Sequence, residues 1–230
     1  MTERREPRRV GAVCFDLYGT LVDLWPLDVA CEALAPGRGR VLAARWRARQ
    51  LEASWLRTVM DRWRDFEVVT REALDVACAE LGVGADPDLR EAAGRAFLEL
   101  PPTAGAIEGI TDLGRAGLSL AVLSNGSSTM IEANLRSAGI GGRFAALLSA
   151  DAARFYKPHP AVYQLAVDRF GLAPDQVGFV TANGWDAAGA AAHGLAVSWL
   201  RPPGAALPAV PSGVVGEATW ATVSAQFAPV

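Results

Sequence analysis

Six consecutive residues, Val10-Gly11-Ala12-Val13-Cys14-Phe15, are apolar or glycine, and the run ends abruptly on a carboxylate, Asp16. A short, unbroken apolar run suits a strand buried on both faces, as in a parallel sheet. Four later runs repeat this character: Leu118 to Gly126, Phe144 to Ser149, Val177 to Asn183 and Leu195 to Leu200. Helix-like stretches separate most of them, over Ile107 to Ala116, Ser128 to Ala138, Pro160 to Phe170 and Asp186 to His193. Strands alternating with helices predict a doubly wound, Rossmann-like α/β sheet with right-handed crossovers. Ligands of such sheets gather at the carboxyl ends of the strands, where Asp16 stands.

Residues 24–102 break the rhythm, because they carry mainly helical periodicity and are too long for a loop. Helices are predicted from Arg40 to Arg64, where Trp46, Leu51, Trp55, Leu56, Val59 and Trp63 recur at mostly helical spacings, then from Thr70 to Leu81 and Pro87 to Leu98. The expectation is a core domain of residues 1–23 and 103–230 with an inserted α-helical cap domain of residues 24–102, returning at a Pro101-Pro102 hinge. Residues Pro202 to Pro211 predict a surface loop, followed by a last helix near Glu217 to Phe227.

Composition removes several function classes. In 230 residues, 51% are hydrophobic and 20% charged, which suits a packed soluble core, and a net charge of -3 offers no footprint for nucleic acid. The basic cluster Arg4, Arg5, Arg8 and Arg9 reads as a solvated tail and lacks the apolar stretch of a signal peptide. Cys14, Cys31 and Cys78 have neither disulfide-framework nor zinc-type spacing, which fits a reducing cytoplasm. No apolar run reaches the roughly 18 residues of a membrane span. With only His159 and His193 present, a serine-histidine-aspartate triad has little to build on.

Four short motifs carry the chemistry. Asp16-Leu17-Tyr18-Gly19-Thr20-Leu21 sets a carboxylate before a glycine turn whose amides can cradle an anion, although alone it reads equally well as a strand-ending aspartate capping a turn. Ser124-Asn125-Gly126 follows a strand and alone could be an ordinary turn. Tyr156-Lys157-Pro158 supplies a lysine, a residue type that usually sits in solvent. Thr181-Ala182-Asn183-Gly184-Trp185-Asp186 supplies a second carboxylate, or a helix cap.

Together and in this order, the four motifs resemble those of the haloacid dehalogenase superfamily. Two substitutions choose the branch. Superfamily phosphatases place an acid two residues after the nucleophile, here Tyr18, and hold magnesium with an aspartate where Ala182 stands. A hard cation needs carboxylates, whereas halide leaves without proton or metal. The resemblance extends to Trp46-Arg47-Ala48-Arg49-Gln50-Leu51-Glu52, which is similar to the cap helix of type II 2-haloacid dehalogenases. By itself this arginine reads more readily as a surface residue that snorkels to solvent.

The resemblance implies hydrolysis of short (S)-2-haloalkanoic acids to (R)-2-hydroxy acids through an aspartyl ester, with no cofactor or metal and a homodimer of this chain. Asp16 would be the nucleophile and Arg47 the halide acceptor. Lys157 would neutralise charge, and Thr181, Asn183 and Asp186 would position water. Ser124 and the amides of Leu17 and Tyr18 would hold the substrate carboxylate, with Thr20, Asn125 and Tyr163 also on the substrate side. Tyr18, Leu51, Phe66 and Trp185 would line the alkyl pocket. Two departures from the family stand out: Ala48 replaces a common glutamine, removing a polar wall group, and Thr181-Ala182 replaces a serine pair. A related hydrolase opening a strained heterocyclic amino acid, a magnesium-dependent phosphatase and a non-catalytic binding protein are the other readings.

Overall fold

The computed structural model describes residues 6–84, 86–202, 204–209 and 215–230. Arg4 and Arg5 of the basic cluster, and Pro203, Val210 and Pro211 of the expected surface loop, lie outside them.

Among the described residues, six parallel strands form the main sheet, in the order β4-β3-β2-β5-β6-β7. They are β2 (Ala12–Phe15), β3 (Ser119–Ser124), β4 (Ala146–Ser149), β5 (Val177–Thr181), β6 (Ala196–Leu200) and β7 (Val215–Ala218). Every residue of β2, β5 and β6 is buried, as central parallel strands require, β3 is buried beyond its exposed first residue Ser119, and the edge strands β4 and β7 mix exposed and buried positions. Flanking helices α5 (Ala106–Arg115), α6 (Ser128–Ser137), α7 (Pro160–Phe170) and α8 (Gly184–Ala192) match the expected stretches to within about two residues. From β2 the chain moves to β3 on one side, and from β5 it moves through α8 to β6 on the other. The crevice between the carboxyl ends of β2 and β5 is therefore the topological switch point, the place where open α/β sheets hold ligands.

Two expectations about the sheet are corrected. The run Val10–Phe15 is not one strand: it breaks at Gly11, whose N–H donates to Gln176 O (2.9 Å). The preceding segment, β1 (Arg8–Val10), pairs separately with β8 (Phe227–Pro229). Arg8 and Arg9 are thus strand residues and not a solvated tail, with the Arg8 guanidinium 5.2 Å from the Phe227 ring centre. The helix expected near Glu217 to Phe227 is absent, because β7 extends the sheet edge and only a short 3-10 turn, Val223–Gln226, precedes β8. Between them Trp220 stacks on Phe15 (6.1 Å between ring centres), and a Cβ on Gly109 would sit 2.5 Å from its ring. The half-buried indole anchors this segment against the core, and packing it on Phe15 outweighs the weak helical pattern.

Between β2 and α5 the described residues form four helices: α1 (Pro26–Leu34), α2 (Gly39–Val59), α3 (Phe66–Glu80) and α4 (Pro87–Ala96). Local signals set their ends. Asp65 and Asp86 cap α3 and α4 by accepting from Val68 N (3.0 Å) and from Asp88 N and Leu89 N. Glu32 accepts from Gly37 N and Gly39 N at the start of α2, where a Cβ on Gly39 would lie 2.5 Å from Asp28 O. Helix α2 stops at Val59, short of the expected Arg64. Asp61 turns left-handed (φ 54°) and Arg62 N closes back on Arg57 O (2.8 Å), a Schellman-type stop that polar Asp tolerates. The chain leaves and rejoins the sheet side by side: Val22 bridges Pro102, Asp23 N donates to Pro101 O (2.8 Å) and Thr103 N to Leu21 O (2.9 Å). No helix among the described residues is long and apolar enough to cross a membrane.

Candidate active site

Asp16 leaves the end of β2 with its N–H still bonded to Val180 O of β5 (3.0 Å), which fixes its carboxylate over the switch-point crevice. Gly19 at φ +77° then lets the chain turn back sharply. The carboxylate oxygens have different tasks. Oδ1 accepts from Lys157 Nζ (3.0 Å), while Oδ2 accepts from Asn183 Nδ2 (2.8 Å), Thr20 Oγ1 (2.9 Å) and, more weakly, Thr181 Oγ1 (3.5 Å). Thr20 Oγ1 also accepts from Ala182 N (3.0 Å), and Asn183 Nδ2 also donates to Tyr18 O (3.0 Å). The first and fourth motifs are thus stitched together directly beneath the carboxylate.

Lys157 is fully buried and bridges the two acids, with Nζ 3.0 Å from Asp16 Oδ1 and 2.9 Å from Asp186 Oδ2. Burial pushes its pKa down, but the neighbouring carboxylates and their hydrogen bonds more than offset this, and the ammonium is held above its ordinary range. Its backbone N–H is fixed by Asn125 Oδ1 (2.8 Å). Burial raises Asp186 to about 6, against the opposing pull of Lys157; Tyr163 OH donates to its Oδ1 (2.7 Å). Thr20, Asn125 and Tyr163, expected on the substrate side, therefore spend these polar contacts on Asp16, on the Lys157 backbone and on Asp186.

Ser124 ends β3, and its Oγ accepts from Gly126 N (3.1 Å), while Ser149 Oγ holds Gly126 O (2.7 Å). A Cβ on Gly126 would come 3.0 Å from the Tyr18 hydroxyl and 3.4 Å from Ser124 Oγ, so only glycine leaves room for that ring. Tyr18 packs on Phe66 (6.0 Å) and Phe97 (4.9 Å), and the Arg47 guanidinium from α2 lies 5.8 Å from its ring centre. Burial lowers the Arg47 pKa and the charges of Asp16 and Asp186 oppose the shift. Arg47 donates to Gln50 Oε1. Leu51 is partly buried one turn beyond Arg47, and Trp185 meets Trp55 edge-on at 5.7 Å.

Ala48 is exposed on α2, so the expected missing polar wall does not arise from it; the buried amide of this helix is Gln50. Gln50 is not among the residues the motifs single out, although a glutamine three residues after an arginine on one helix face is a legible pairing signal. Glu67 is not among them either. Its Oε1 accepts from Ser127 Oγ (2.9 Å) and Thr129 Oγ1 (2.6 Å), tying α3 to the start of α6, and no local pattern announces a contact across 60 residues.

Asp16 is 5% exposed and Ser124, Lys157, Thr181 and Asp186 are wholly buried, so charges here act in a medium far less screening than water. No group of three His, Cys, Asp or Glu side chains among the described residues could hold a metal. The bridge between the two acids is an ammonium, and the phenol of Tyr18 and the methyl of Ala182 add no carboxylate. The arrangement presents one oriented carboxylate, a compensating cation, a second acid of raised pKa and a guanidinium facing them from the helices.

Comparison with known proteins places this geometry in context. The family model for haloacid dehalogenase-like hydrolases matches residues 10–194. The (S)-2-haloacid dehalogenase of Pseudomonas sp. (strain YL) is 40% identical over 195 residues, covering 85% of this chain and 84% of that one. A crystal structure of an L-2-haloacid dehalogenase superposes with a TM-score of 0.90 at 34% identity, over 94% of this chain and 97% of the other. The L-2-haloacid dehalogenase of Xanthobacter autotrophicus with chloropropionic acid covalently bound gives a TM-score of 0.78 at 40% identity, over 83% and 77% of the two chains. By sequence match over most of its length, by fold and by its four motifs, this chain belongs to the haloacid dehalogenase-like hydrolase family.

Proposed function

We propose that the chain hydrolyses short (S)-2-haloalkanoic acids to (R)-2-hydroxy acids, with Asp16 as covalent nucleophile. The observation that carries the reading is the Asp16 carboxylate, oriented by Lys157, Thr20 and Asn183 at the switch point, with Tyr18 two residues on in place of an acid and the Arg47 guanidinium over that ring. Ser124 and the amides of Leu17 and Tyr18 hold the substrate carboxylate. An Asp16 oxygen attacks C2 from the side opposite the halogen; the C–O bond forms, the C–halogen bond breaks, and halide leaves as an anion toward Arg47. This inverts C2 and gives an ester.

Water held by Thr181 and Asn183 then adds to the ester carbonyl of Asp16, passing its proton to Asp186. The alkoxide leaves with a proton, restoring the Asp16 carboxylate, and halide and one proton are the net by-products. An acid raised to about 6 is a competent base at neutral pH. Residues 24–102 act as the cap and the remainder as the core, a division supported by the adjacent crossings at Val22 and Pro102. A homodimer is supported by the apolar end of α2, where Leu56, Val59 and Met60 are exposed. The free thiols of Cys14, Cys31 and Cys78 support a cytoplasmic setting.

Incubation with each enantiomer of 2-chloropropionate in the presence of a chelator tests the reading. Halide release from the (S) form alone, with (R)-lactate as product, is expected. A single turnover in heavy-oxygen water should label Asp16 and not lactate. Label appearing first in lactate, or full activity in Asp16→Asn, would overturn the covalent assignment.

A further inference from the structure

Arg47 reaches the site from a helix, and what aims it is a chain of hydrogen bonds whose direction is dictated from its far end. Phe66 O is a backbone carbonyl and can only accept, so the Thr70 hydroxyl donates to it (2.6 Å). With its proton committed, Thr70 Oγ1 must accept, and it does so from Gln50 Nε2 (2.6 Å). That fixes which way the Gln50 amide faces: its NH2 toward Thr70, its carbonyl oxygen toward Arg47, which donates to it. Gln50 is wholly buried and Thr70 nearly so, so water does not compete for these bonds. Trp46 Nε1 pins the same turn by donating to Thr70 O (2.7 Å).

We infer that Gln50 and Thr70 are positioning residues for halide departure, with the first turn of α3 setting the amide orientation that holds the Arg47 guanidinium over the reacting carbon. The inference rests on the reading of Arg47 as halide acceptor. In Thr70→Val the amide loses its reference and is free to rotate, presenting NH2 to the guanidinium. In Gln50→Leu the acceptor is gone. Their hydrogen bonds run to Arg47 and to the first turn of α3, so each is inferred to act through Arg47.

A structural defect slows every substrate alike; a misplaced halide acceptor penalises the poorer leaving group more. The test is therefore single-turnover halide release from (S)-2-chloropropionate and (S)-2-bromopropionate, with folding checked by circular dichroism. Loss of one charge-assisted positioning contact should slow chloride release roughly 10- to 100-fold in Gln50→Leu and Thr70→Val. The bromide-to-chloride rate ratio should rise about fivefold or more, because bromide needs less help. Thr70→Ser, which keeps the hydroxyl, should restore both rates to within about twofold of the parent. A raised ratio in Arg47→Ala with unchanged ratios in Gln50→Leu and Thr70→Val overturns the inference alone. An unchanged ratio in Arg47→Ala overturns the reading of Arg47, and this inference with it. Should Gln50→Leu fail to fold, the Thr70→Val and Thr70→Ser pair decides the matter by itself.

Discussion

The two walls of the site are built on opposite plans. On the sheet side the Asp16 carboxylate receives hydrogen bonds from Lys157, Thr20, Asn183 and Thr181, drawn from three separate segments of the chain. On the helical side Arg47 is held through a single amide, Gln50, and over one aromatic ring, Tyr18. The carboxylate proposed as nucleophile is over-determined and the guanidinium proposed as anion acceptor hangs on one thread. Redundancy suits the group that must be identically placed at every turnover, whereas a lightly held guanidinium can withdraw when its helix moves and release the anion it has captured.

The strongest way to break this contrast is to remove the one member of the sheet-side network that redundancy does not protect. Lys157→Met leaves Asp16 and Asp186 buried without their shared cation, which costs about 3–5 kcal/mol of stability as a broken buried ion pair. Activity should fall by about 10³-fold or more, since charge compensation at the reacting carboxylate is lost. Chemical denaturation and halide release measure the two effects. A stable, active Lys157→Met protein would mean the ammonium is not the keystone of that wall.

A smaller and more diagnostic effect concerns pH. Asp186 is raised to about 6 in the folded protein, above the ordinary carboxylate value, so the native state binds a proton that the unfolded chain has already lost. Its contribution to stability is fully present below the unfolded pKa and disappears as pH rises through about 6. Ester hydrolysis needs the charged form, so activity should climb over that same interval as stability declines. Tyr163→Phe deletes a donor that lowers this pKa, and the acidic limb of the rate profile should shift up by up to about one unit. A limb that stays in place would remove Asp186 from the rate-governing titration.

The mildest effect should come from the seam between the walls. Glu67→Ala removes the acceptor of Ser127 and Thr129 and loosens α3 against α6. A KM increase of roughly three- to tenfold with kcat within about twofold is expected, as for loss of a partly exposed hydrogen-bonded contact. A large fall in kcat instead would show that this carboxylate supports the chemistry and not only closure.

How much of this could be read from the chain follows the same division. The sheet wall was legible because buried parallel strands write themselves as apolar runs, and Asp16, Ser124 and Asp186 follow such runs closely. Lys157 was legible from its motif, but its bridging position between two acids was not. The helical wall was legible as periodicity and, at Arg47, through the resemblance of its helix to a known family. Gln50 and Thr70 are polar residues inside helices whose partners lie about one helix away, and Glu67 meets its partners across the fold. The misread C-terminal segment has the same cause: Trp220 finds its place on Phe15, a residue some 200 positions earlier, where no local pattern reaches.

The paired crossings at Val22 and Pro102 carry a last consequence. Because the chain leaves the sheet a few residues after Asp16 and rejoins it through a hydrogen-bonded neighbour, everything between the two crossings is a closed excursion with fixed ends. Its length and sequence can drift, or be grafted from a relative, without altering the register of any sheet strand. Heritable change around Arg47 can therefore accumulate in one stretch of the gene while the strand-end carboxylates and Lys157 are inherited intact.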